Sequence, residues 1–117
     1  MAVYQRLELL EGGDATVVRF RDRHIANFLE IEQTGQELYR LLEEGKPQRL
    51  VLDFSGVEHL SSALIGKLIL LNAKVQACEG SVALCGMRPE ILEGFQTCKL
   101  NRIFSIYKDV ADALPSF

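Results

Sequence analysis

Between Leu50 and Val75 an apolar run of strand length passes into one with helical spacing, and this handover restricts the folds open to the chain. Leu50-Val51-Leu52-Asp53-Phe54 reads as a buried strand that breaks at Ser55-Gly56. Leu64, Leu68, Leu71 and Val75 then recur at i, i+4, i+7 and i+11, with Ile65 and Ile69 widening the stripe, so a helix is predicted to run to about Glu79 before Gly80. The pattern returns after that glycine. A short strand over 81–85 leads to a helix with Pro89 in its first turn and Ile91, Leu92, Phe95 and Cys98 on its buried side. A turn over 99–102, a strand over 103–107 and a short last helix capped by Asp109 follow, the helix carrying Val110, Ala113 and Leu114. Strands that alternate with helices in this way call for a parallel sheet.

Two strand-like runs precede this region, 7–10 and 15–20, joined by Glu11-Gly12-Gly13-Asp14, and they read as an antiparallel hairpin. The charged turn Arg21-Asp22-Arg23-His24 comes next. Asn27 with Glu30 three residues on reads as a capping box that starts a helix near Phe28. Ile31, Leu38 and Leu42, with Tyr39 and Leu41 beside them, give that helix its apolar face, and Gly45 and Pro47 end it. The fold class expected is therefore α/β: a mixed sheet with an N-terminal antiparallel hairpin and then parallel strands, with about four helices, in one domain over 1–117. At 117 residues and 48% hydrophobic content the chain suits a single core.

Ser61 and Ser62 fall where the strand hands over to the middle helix. The first turn of a helix has N–H groups without intrahelical partners and the positive end of the macrodipole, so hydroxyl oxygens and anions are favoured there. A capping role and a phosphate-accepting or partner-contacting role both remain open for these serines on spacing alone.

The residues Asp53-Phe54-Ser55-Gly56-Val57, a short link, then Ser61-Ser62-Ala63-Leu64 and an apolar helix resemble the STAS domain, the fold of bacterial anti-sigma factor antagonists. The family's typical motif is Asp-Ser-Ser/Thr-Gly-Leu-Gly. Ser61 matches its first serine, Ser62 the next hydroxyl and Leu64 the leucine; Leu60 stands in place of the aspartate, Ala63 of the first glycine and Ile65 of the second. The resemblance covers most of the chain and implies an interaction switch in transcription regulation. Its partner would be an anti-sigma factor that is also a serine kinase. Phosphorylation would fall on Ser61, with Ser62 as neighbour or substitute, and Asp22, His59, Leu60, Ser61, Ser62 and Leu64 would form the partner-binding set. The resemblance also leaves room for a constitutive scaffold, because Leu60 replaces the carboxylate that flanks the phosphorylated serine in typical members.

Other classes fit the residues less well. No G-x-S-x-G elbow is present, His24 and His59 have no evident triad partner, and a P-loop is missing, so no enzyme is expected. His59 beside a helix start reads as a surface or capping neighbour before it reads as a ligand or base. Asp53 at the end of a buried strand suits a receiver-like phosphoacceptor, but such a domain needs an acidic pair after its first strand and Glu11 has no adjacent partner. Cys78, Cys85 and Cys98 contain no C-x-x-C pair, so reduced thiols are expected, with no metal and no cofactor. A formal charge of -3 argues against a nucleic-acid partner. The first six residues do not resemble a signal peptide and no apolar run approaches the roughly 20 residues of a membrane helix, so a cytoplasmic location without membrane contact is expected. Oligomeric state stays open.

Overall fold

The structure, a computed structural model, describes residues 4–45 and 47–116. Residues 1–3 of the N-terminal reading and Phe117 lie outside the described residues. The hairpin forms as expected, β1 (Leu7–Gly12) against β2 (Ala15–Phe20), in a register that pairs Gly12 with Ala15. This leaves Gly13 and Asp14 to make the turn, and Gly13 adopts φ +70°, a conformation open to glycine at little cost. β2 then pairs in parallel with β4 (Arg49–Asp53), β4 with β6 (Ser81–Cys85), and β6 with β7 (Ser105–Tyr107). The order across the sheet is β1-β2-β4-β6-β7, one antiparallel edge on an otherwise parallel sheet.

The two faces of the sheet are covered unequally. Leu50, Leu52, Val18 and Leu84 point into the main core with Ile31 and Leu38 of α1 (Phe28–Gly45), Leu64, Leu68 and Leu71 of α2 (Ser62–Ala77), and Phe95 of α3 (Pro89–Thr97). The alternate positions Val17, Val51, Ala83 and Cys85 form a smaller cluster under Ala113 of the short α4 (Val110–Ala113). Period-two alternation along β4 thus feeds two cores from one five-residue strand.

Local signals held where they rested on capping chemistry. The Glu30 N–H donates to Asn27 Oδ1 at 2.8 Å, and the Asp112 N–H donates to Asp109 Oδ1 at 2.9 Å. Pro89 takes the first helical position of α3. Three expectations change. α2 ends at Ala77, and the left-handed position after it is occupied by Glu79 at φ 61°. Gly80 serves a different purpose: a Cβ there would lie 2.8 Å from the Gln48 carbonyl oxygen, so its absence lets the helix exit approach the start of β4. Cys98 is the exposed C-cap of α3 and not part of its buried side, and β7 begins at Ser105 because Leu100–Arg102 closes into a 3-10 turn.

A pair of strands two residues long was not anticipated. β3 (His24–Ile25) and β5 (His59–Leu60) make a separate parallel ladder, in which His24 pairs with His59 and Ile25 with Leu60. It ties the loop after β2 to the loop after β4. The segment read as a charged turn therefore ends in strand.

Cys85 is fully buried beside Asp53. Burial first, then the charges of Asp53 and Asp109, push its thiol up to about 12, with Arg19 opposing. The unfolded chain's thiol releases its proton near its ordinary 9.0, so this residue has no effect on stability below about that pH and costs stability as pH rises from there toward 12. Thiol titration of the native protein at pH 8 should therefore label the exposed Cys78 and Cys98 readily and reach Cys85 only after denaturation. Three equally fast thiols would contradict the packing described here.

Candidate functional site

The loop from Phe54 to Ser61 is held by backbone hydrogen bonds on two sides. The Phe54 N–H donates to the Cys85 carbonyl at 2.9 Å, while the Glu58 and His59 N–H groups both donate to the Arg23 carbonyl, at 2.7 and 3.1 Å. Ser61 N–H completes the set with a 2.9 Å bond to the Ile25 carbonyl. Phe54 and Val57 are fully buried and anchor the same loop from below. Ser61 consequently enters α2 in fixed orientation.

Ser61 is the N-cap of α2. Its backbone is extended (φ -71°, ψ 146°), and its hydroxyl oxygen accepts from the Ala63 N–H at 3.2 Å. It is half-buried and Ser62, the first residue of the helix, is exposed. Both serines therefore remain near solvent. The capping reading is right for Ser61, and it does not compete with exposure, because the cap places the hydroxyl at the rim of the helix dipole.

The other residues of the predicted set are placed unequally. His59 is exposed and Leu60 half-buried against the core, so the short ladder brings His24, His59, Leu60 and Ser61 together. Asp22 is turned away: its Oδ1 accepts from Arg6 Nη1 at 3.0 Å, and the same Arg6 donates through Nε to Gln33 on α1. Asp22 Oδ2 is buried with no hydrogen-bond partner among the described residues. Leu64 has no exposed surface at all, so it anchors the helix start and cannot itself touch a partner; i+3 from the cap is the inward side of the first turn.

Asp53 is committed to structure. Its Oδ2 accepts from Arg19 Nε at 3.1 Å and its Oδ1 from the Ser55 N–H at 3.0 Å. Gly86, at φ +72°, closes over it so tightly that a Cβ would lie 2.6 Å from Asp53 Oδ1. β1, which carries Glu11, is separated from β4 by β2. The receiver-like reading fails on these grounds: Asp53 is 3% exposed, paired and covered.

One feature of the site gave no signal in the sequence. Phe28 and Leu29 at the start of α1 are 79% and 60% exposed, and Leu70 on α2 is 49% exposed. Phe28, Ile31, Ala63, Gly66 and Leu70 line a groove of about 400 Å³ between the two helices, crossed by the ion pair of Lys67 Nζ with Glu32 Oε1 at 3.0 Å. Lys67 lies over Gly35, where any Cβ would collide with its side chain, and its carbonyl accepts from the Tyr39 hydroxyl. The groove begins at Ala63, the residue after Ser62. A second groove, of about 580 Å³, lies between the far ends of the same helices, lined by Tyr39, Leu42, Val75 and Cys78, and includes no residue of the predicted set.

Comparison with known proteins adds the following. A family model for the STAS domain matches residues 13–113. BtrV of Bordetella bronchiseptica, assigned to the anti-sigma factor antagonists, is 26% identical over 93 residues, 80% of this chain and 79% of that protein. An anti-sigma-factor antagonist (STAS) domain protein from Planctomyces limnophilus superposes with a TM-score of 0.84 at 21% identity, covering 94% of this chain and 96% of that one. The Bacillus cell fate determinant SpoIIAA, solved in its phosphorylated form, gives 0.65 at 16% identity, over 87% and 91%.

Removing the cap should have a measurable structural cost of its own. Ser61→Ala should lower unfolding stability by about 1 kcal/mol, Ser61→Asn should restore most of it, and Ser62→Ala should be close to neutral. Urea denaturation of the three variants checks this, and equal stability of Ser61→Ala and wild type would mean that the Ala63 N–H finds another acceptor.

Proposed function

Because the chain belongs to the STAS domain family, we propose that it is a protein-interaction switch of the anti-sigma factor antagonist kind, set by phosphorylation of Ser61. The observation that carries this reading is a near-surface serine hydroxyl at the mouth of α2, bordered by an apolar groove that none of the described residues covers. The name of the Bordetella relative and the phosphorylated state of the Bacillus structure support it. The whole of 1–117 serves as one domain, in the cytoplasm of a bacterium, and catalyses nothing itself. No helix among the described residues is long and apolar enough to cross a membrane.

The partner is an anti-sigma factor with serine kinase activity, and no nucleic acid takes part. In the unmodified protein it docks on Phe28, Leu29 and Leu70 and on the rim formed by His59, Leu60, Ser61 and Ser62, burying apolar surface that is otherwise wet. Leu64 holds that rim from inside, and Asp22 steadies the loop through Arg6. Phosphate on Ser61 adds about -1.5 to -2 charge at the helix N-terminus. The helix end tolerates this charge, since free N–H groups and the macrodipole favour an anion there. A partner that must desolvate the same rim does not, and it leaves.

Phosphopeptide mapping of the protein from its own cells should find Ser61 modified, and its complete absence would favour a scaffold that binds constitutively. Ser61→Glu should weaken partner binding at least about tenfold, or roughly 1.4 kcal/mol, while Ser61→Ala binds normally and takes up no phosphate at that position. Equal affinities of the two variants would overturn the switch.

A further inference from the structure

Two histidines meet on the short ladder, and one of them, His59, also belongs to the proposed docking rim. His24 and His59 are register partners in β3 and β5, so their side chains leave the same face of the ladder. Neighbouring strands lie about 4.8 Å apart. The two rings stack with centroids 4.8 Å apart and an interplanar angle of 26°. Both residues are exposed, whereas their neighbours Ile25 and Leu60 turn inward. An exposed ring pair gains little from burial.

We propose that His24 and His59 form a two-imidazole site for a borderline divalent transition metal ion such as Zn2+, Ni2+ or Cu2+. Imidazole nitrogen binds zinc at about 2.0–2.1 Å, so two nitrogens sharing one ion in tetrahedral geometry stand roughly 3.4 Å apart. Rings already held side by side at strand spacing reach that separation by a modest rotation about their outer torsions, which exposed side chains make freely. The ladder supplies the pre-organisation, through the bonds from the Glu58 and His59 N–H groups to the Arg23 carbonyl and from the Ser61 N–H to the Ile25 carbonyl.

The donor set selects the metal. Neutral imidazoles suit zinc, copper and nickel, whereas magnesium and calcium require oxygen ligands. The carboxylate nearest in sequence, Glu58, is occupied by Arg23 at 3.9 Å and Arg88 at 3.6 Å. Among the described residues no group of three or more ligating side chains assembles, so the remaining positions go to water or to atoms brought by a docked protein. Ser61 follows His59 by two residues in extended backbone, so its side chain emerges on the same face. A bound dication would therefore lie beside the hydroxyl of the proposed switch and attract a phosphate there. That consequence rests on the reading of Ser61 given above; metal binding itself does not.

The test uses the full, untagged chain, isotopically labelled, titrated with zinc chloride and followed by calorimetry and by the imidazole resonances. The ring signals of His24 and His59 should shift first, magnesium should leave them in place, and Cu2+ should bind more tightly than Ni2+ or Zn2+ and broaden the amides of Ala26, His59 and Ser61 before others. His24→Ala and His59→Ala should each weaken Zn2+ binding at least about tenfold, while the double variant Cys78→Ser, Cys98→Ser binds as wild type does. Amide dispersion shows that each variant is folded. Unchanged affinity in the histidine variants, loss of binding in the cysteine variant, or no binding up to about 1 mM metal would overturn the site. A protein that binds Zn2+ this way but is never phosphorylated would sink the switch and leave the metal site standing, and the reverse result would do the opposite.

Discussion

The site depends on the tethering of the loop between β4 and α2. A loop of that length leaving a buried strand has many conformations, and fixing each residue costs about 1–2 kcal/mol. Here the cost is met from two directions: the loop's amide groups donate to carbonyls of Arg23, Ile25 and Cys85, and Phe54 and Val57 enter the core. Ser61 is then presented by a rigid neighbour on each side, its backbone bonded to the loop after β2 and its side chain to the first turn of α2. Presentation of the hydroxyl, the stacking of the two histidines and the entry angle of the helix all follow from that one tethered segment.

The charged pair at the same end of the sheet illustrates how chemistry-bearing residues become structural. Asp53 sits at the strand end where a phosphate acceptor would belong, yet two donors satisfy it and the backbone of Gly86 covers it. A buried carboxylate is tolerable only when paired and hydrogen-bonded. Arg19 and the Ser55 N–H meet that requirement.

The strands and helices were legible because they rest on two signals that tertiary context did not override. Period-two and period-3.6 apolar spacing found the hairpin, β4, α2 and β6, and local capping chemistry at Asn27, Pro89 and Asp109 found three helix starts. The serine pair was also readable, since its type and position together specify a helix mouth. The short ladder was not, because two residues per strand are too few to show any period, and His24 and His59 are 35 positions apart in a single sequence. Phe28 and Leu70 were equally opaque: an apolar residue in an amphipathic pattern gives no sign of whether a neighbour covers it. Leu64 failed in the opposite direction, since membership in a motif does not say which side of the helix faces solvent.

A missing methyl group on α1 opens the path of one side chain that crosses to it from α2. Lys67 crosses from α2 and lies along Gly35, reaching Glu32, and no other residue type at 35 leaves that path clear. The path of the lysine across the groove is thus set at a position that does not itself line it, while the proposed charge of the rim is set at Ser61. In the proposed switch, fit and electrostatic permission fall to separate residues, so a lineage could retune the shape of what docks without disturbing the signal that dismisses it.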